Sequence, residues 1–140
     1  MQTAETTTDG KTIKILIVED EKALVDIYST KLKISGMEVL SASNGLEGLS
    51  LAIQEKPTLI LLDVMMPVKD GFETLQDLKL NPVTSDIPVI LLSNLGQDHE
   101  VRRGMKLGAY KFLTKSDMTP EQVLASVCEA LGAVGSDKRC

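Results

Sequence analysis

Apolar residues fall in five short runs along this chain, and each run is followed by a segment with helical spacing. The clearest run is Leu59-Ile60-Leu61-Leu62, which leads straight into Asp63 and then Val64-Met65-Met66-Pro67. An unbroken apolar run this short reads as a strand covered on both faces, the pattern of a parallel sheet. Residues 13–18, 37–42, 87–92 and 109–113 read as the other four strands.

Between them, Leu24, Ile27, Tyr28 and Leu32 share one face of a helix over 22–34, which Gly36 ends. Asn44 caps a second helix, with Leu46, Leu49, Ala52 and Ile53 expected inward. Phe72, Leu75 and Leu78 line a third over 72–80, stopped by Pro82. A fourth spans 97–107 and carries Gly104, which costs about 1 kcal/mol against alanine and makes this helix one of the weaker ones. Thr119-Pro120-Glu121-Gln122 is a capping box with proline at the first helical position, followed by the apolar face Val123, Leu124, Val127 and Leu131. Five strand–helix alternations imply an α/β fold, a doubly wound five-stranded parallel sheet with five helices on its two faces.

The 140 residues suit one domain, expected over 11–134, between a disordered polar tail at 1–10 and a short tail at 135–140. A net charge of -5 argues against a nucleic-acid surface, so no nucleic-acid partner is expected. No stretch is apolar enough for a membrane span or signal core, so no membrane partner is expected and a cytoplasmic location is. Cys128 and Cys140 fit no metal-ligand spacing; Cys128 reads as a small buried residue, and no disulfide between the two is expected.

In open parallel sheets, ligands sit beyond the carboxyl ends of the strands. Four strands here end in groups useful to phosphate or metal chemistry: Glu19 and Asp20, Asp63, Ser93, and Lys115. Three carboxylates gathered at one rim repel one another, and a divalent cation removes that repulsion. All-oxygen ligands select a hard ion such as Mg2+. Lys115 adds positive charge, Ser93 a hydroxyl donor, and Asp63 is placed as a nucleophile toward a phosphoryl group.

The stretch Asp63-Val64-Met65-Met66-Pro67-Val68-Lys69-Asp70-Gly71, together with Glu19-Asp20, Ser93, Gly108-Ala109 and Lys115, resembles the signature of bacterial response-regulator receiver domains over about residues 13–131. The resemblance implies a flavodoxin-like strand order, 2-1-3-4-5. It implies that Asp63 accepts a phosphoryl group from a sensor histidine kinase or histidine phosphotransfer protein. Asp20, Asp63 and the backbone carbonyl of Met65 would then ligate Mg2+, with Glu19 acting partly through water. Lys115 and Ser93 would hold phosphoryl oxygens, and Phe112 would rotate with Ser93 to carry the signal. Such a domain is a switch rather than an enzyme. It relays its signal to a downstream protein target, as a monomer or a phosphorylation-dependent dimer.

This chain departs from the family in places. Ser116 stands where proline usually follows the lysine, so no cis bond is expected there. Phe112 has no hydroxyl, and Asn94 replaces a small residue. Met65 and Leu95 occupy two positions that influence hydrolysis; both are apolar and cannot orient water, which predicts slow self-dephosphorylation. Only residues 135–140 follow the last helix, so a stand-alone receiver without a fused output domain is expected. The competing reading, an aspartate-nucleophile phosphatase or phosphotransferase, needs a second acid two residues after the nucleophile, where Met65 stands. His99 reads as solvated, and the basic residues Arg102, Arg103 and Lys106 read as a solvated helix face or, alternatively, as a docking face for an acidic partner or a second copy.

Overall fold

The computed structural model describes residues 12–94 and 96–134. Both expected tails and Leu95 lie outside them. Among the described residues, five strands and five α-helices alternate: β1 Lys14–Val18, α1 Lys22–Ile34, β2 Glu38–Ala42, α2 Gly45–Glu55, β3 Leu59–Asp63, α3 Gly71–Leu80, β4 Val89–Ser93, α4 Asp98–Lys106, β5 Lys111–Thr114 and α5 Pro120–Val134. All strand pairs are parallel and the order is β2-β1-β3-β4-β5, as the resemblance implied.

The sheet divides the interior into two cores because side chains alternate across each strand. Ile15, Ile17, Leu61 and Ile90 point toward α1 and α5, where Tyr28, Leu32, Val123 and Val127 meet them. Leu16, Val18, Leu62 and Leu91 point the other way, onto Ala52, Phe72, Leu75 and Leu78. The strands β3 and β4 are buried along their whole length, including Asp63 and Ser93 at their ends.

Two helix faces differ from the sequence pattern. Ile27 is 47% exposed and Leu46 59% exposed. Val25 takes part of the place expected of Ile27 against the α1/α5 core. On α2 the inward stripe is Gly45, Gly48 and Ala52. A Cβ at Gly48 would stand 2.8 Å from both Val18 methyl carbons, so α2 lies close against β1 there, while Leu49 packs on the same core as expected. Gly104 also has a packing role: a Cβ there would lie 2.6 Å from Leu91 Cδ1 and 3.2 Å from Phe112 Cδ2. Its helix propensity is traded for a close seat of α4 on β4 and β5.

The loop after Asp63 closes on itself. Gly71 N–H donates to Val64 O at 2.8 Å, and Lys69 N–H donates to Pro67 O at 2.7 Å. The second bond spans a γ-turn centred on Val68, whose φ of 72° belongs to the rare, strained form. Asp70 then caps α3 in a capping box with Glu73. Thr119 and Gln122 exchange hydrogen bonds at the start of α5, as the sequence predicts. The segment after Lys115 turns as a 3-10 helix, Lys115–Asp117, and no described peptide bond is cis. Cys128, expected as a small buried residue, is partly buried against the α1/α5 core, and the expectation about a disulfide rests on Cys140. Cys140 lies outside the described residues. No described helix is long and apolar enough to cross a membrane.

Candidate functional site

Parallel pairing carries the polar strand ends to one rim. Val18 pairs with Leu62, so Glu19 follows β1 beside Asp63. Asp63 pairs with Leu92, one residue before Ser93, and Ser93 pairs with Thr114, one residue before Lys115. Carboxylate oxygens of Glu19, Asp20 and Asp63 lie within 4.8 Å of one another. Lys115 Nζ is 3.1 Å from Asp63 Oδ1 and 2.7 Å from Glu19 Oε1. These three side chains are almost sealed from water, at 6% exposure for Lys115, 3% for Asp63 and 1% for Glu19. Asp20 is exposed at the mouth, and Ser93 is buried.

The individual contacts show what the site lacks. Glu19 Oε2 accepts from Glu21 N–H at 3.1 Å. Glu19 Oε1 has a close charge contact with Lys115, but it is buried without an aligned hydrogen bond. Asp63 Oδ1 accepts a long bond, 3.4 Å, from Met65 N–H. One ammonium is thus shared between two buried carboxylates, with a third carboxylate beside them. Burial pushes Glu19 up to about 7, opposed by the Lys115 ammonium and reinforced by the charge of Asp63. Burial likewise raises Asp63 above the usual carboxylate range, against the pull of Lys115. Burial works against charge on Lys115, but Glu19 and Asp63 outweigh it and hold the amine above its ordinary value. An under-bonded oxygen in an all-oxygen acidic cluster with excess negative charge fits a hard divalent cation.

The ion pair between Lys115 and Glu19 was not expected from the sequence, where Lys115 was matched to a phosphoryl oxygen. Nothing local signals it, since the two residues meet only through sheet order. Met65 is 63% exposed at the mouth. Phe112 is partly buried, pairs in register with Leu91, and packs into the α2/α3 core.

Fold and site together define a class: a flavodoxin-like α/β domain with a charged cleft at the carboxyl ends of its strands. The chain belongs to the response regulator receiver domain family, whose description matches residues 15–127. A domain of this family is a phosphorylation-controlled switch of two-component signalling. CheY4, the chemotaxis response regulator of Vibrio cholerae, is similar over 86% of this chain and 100% of its own, with 28% identity and a TM-score of 0.81. The signal receiver domain of a histidine kinase from Syntrophus aciditrophicus is similar over 91% of this chain and 96% of its own, with 31% identity and a TM-score of 0.81. Among curated relatives, the DNA-binding dual master transcriptional regulator RpaA of a Synechocystis strain is 41% identical over 81% of this chain and 47% of its own length. The phosphate regulon transcriptional regulatory protein PhoB of Pseudomonas aeruginosa is 35% identical over 90% of this chain and 54% of its own. The chain thus spans about half the length of these curated relatives.

These relatives overturn the expected set of partners, which left out nucleic acid. One is described as DNA-binding and both as regulators of transcription. The net charge of -5 describes only the residues counted. It carries no information about a DNA-contacting surface outside the stretch that the relatives share.

Proposed function

We propose that Asp63 is the phosphoacceptor of this switch and that the cleft around it works with Mg2+. The observation that carries the reading is the buried contact of Asp63 Oδ1 with Lys115 Nζ at 3.1 Å, beside the oxygens of Glu19 and Asp20. Glu19, Asp20, Asp63 and the carbonyl of Met65 would hold the ion, which when bound neutralises charge on the carboxylates and on the incoming phosphoryl oxygens. An oxygen of Asp63 attacks the phosphorus of a phosphohistidine or a small phosphodonor. The bond to the leaving group breaks, and the leaving group departs with its electron pair. Lys115 turns from the carboxylates toward a phosphoryl oxygen, and the Ser93 hydroxyl donates to another. Phe112 follows Ser93 and alters the surface beside α4. The names of the relatives support an output that reaches transcription.

Incubation with Mg2+ and a small phosphodonor, read by intact mass, tests this. One phosphoryl adduct is expected, absent without Mg2+ and absent in Asp63→Asn. Steady multiple turnover of varied phosphoesters would favour the phosphatase alternative instead. The apolar side chains at Met65 and Leu95 support slow loss of the adduct, because neither orients an attacking water. Met65→Gln is expected to shorten the adduct's lifetime by roughly an order of magnitude. An unchanged lifetime in that variant would remove Met65 from the account.

A further inference from the structure

Arg103 joins α4 to the start of α3. Its guanidinium carbon lies 4.4 Å from the centroid of the Phe72 ring. Phe72 is 4% exposed and follows Gly71, the first residue of α3. Gly71 has no slack against β3: a Cβ there would collide with the carbonyl oxygen of Asp63 and stand 2.7 Å from Val64 Cα. Its N–H is bonded to Val64 O at 2.8 Å. Displacement of the Asp63 backbone therefore carries Gly71 and Phe72 with it. The α4 side of the contact is equally tight. A Cβ at Gly104, next to Arg103, would lie 3.6 Å from Phe72 Cε1 as well as against Leu91 and Phe112. The ring of Phe72 thus lies under Arg103 and leaves little room for a side chain at the neighbouring Gly104.

We propose that Arg103 is a positioning residue. Its stacking on Phe72 ties the seat of α4 to the Asp63 end of β3 through Gly71, along a path separate from Ser93 and Phe112. The proposal rests on Asp63 being the loaded residue. It gives α4 two inputs from one event. One comes through the hydroxyl and aromatic side chains of β4 and β5, the other through the backbone junction of β3 and α3. A guanidinium over an aromatic face near the surface is a modest interaction. It suits an element that must shift, because a seat fixed much more firmly would not respond to a change of charge at Asp63.

Amide hydrogen exchange on the full chain tests this, with and without Mg2+ plus beryllofluoride as a phosphoryl stand-in. In the unliganded protein, Arg103→Met is expected to speed exchange of the amides of 98–106 about two- to fivefold. It should also shrink the change those amides show on adding beryllofluoride. The loop 64–70 should still respond as in the wild type. Arg103→Lys, which keeps a cation over the ring, should restore most of the protection. Phe72→Leu should reproduce the effect of Arg103→Met, and the double variant should add little to either. Wild-type exchange of α4 in Arg103→Met, or fully additive effects in the double variant, would overturn the proposal. If α4 alone stops responding, the Asp63 reading stands and the coupling is supported. If the loop 64–70 of the wild type ignores both ligands, the Asp63 reading fails and the proposal falls with it.

Discussion

Lys115→Met lowers the stability of the metal-free protein by about 3 kcal/mol at pH 8 and by much less at pH 5. The side chains of Glu19 and Asp63 are 1% and 3% exposed and share the one ammonium. Without it, two buried carboxylates face each other with nothing to offset their desolvation. The pH dependence follows from the direction of the shifts. Glu19 is raised from 4.5 to about 7, and Asp63 is raised from 3.8. Carboxyl groups raised on folding stabilise the protein while they are protonated, and that stability is lost as pH rises through the folded values. At pH 5 Glu19 carries its proton and the loss of Lys115 is partly absorbed. At pH 8 both carboxyls must either ionise side by side or take up protons against the solution. Chemical denaturation at the two pH values measures the difference. Millimolar Mg2+ should return part of the loss at pH 8, since a cation in the cleft substitutes for the ammonium. Equal losses at both pH values would mean that Lys115 acts through packing alone.

Gly71→Ala is the second large effect. The added Cβ meets backbone, the Asp63 carbonyl oxygen and Val64 Cα, and no rotamer change relieves it. Either β3 or the start of α3 must shift, at a cost of about 3 kcal/mol. The shift falls on Asp63, the proposed phosphoacceptor, so the adduct with a small phosphodonor should also fall sharply. Gly132→Ala provides the contrast. Nothing lies within 4 Å of a Cβ at that position in α5. Alanine there should stabilise the protein by about 0.5–1 kcal/mol through helix propensity and leave the adduct unchanged. Matching stability changes for the two variants would refute the steric argument at Gly71.

Most of the architecture was legible because it depends on local signals. The apolar run before Asp63 marks a buried central strand. The Thr119–Gln122 box and Asn44 mark helix starts, and both make the expected hydrogen bonds. The strand order was not legible from spacing; it came from the resemblance. The misread position on α2 has a visible cause. Helical periodicity says which residues line up, but not how near the helix lies to the sheet. At Gly48 the approach is so close that small residues face inward and Leu46 faces water. The rim acids were visible as strand-end residues. The sharing of Lys115 between Glu19 and Asp63 was not, because it joins residues far apart in the chain that only the sheet brings together.

Val68 holds a backbone angle that glycine or asparagine adopts easily and a β-branched residue resists, and its side chain is 77% exposed. No buried contact offsets the strain, so natural selection has left roughly 1–2 kcal/mol of resilience unclaimed a few residues from Asp63. A heat-challenge library randomised at this codon would be enriched in glycine and asparagine. Whether those survivors still signal on schedule would show if the tension in that bend is an accident of descent or a setting of the switch.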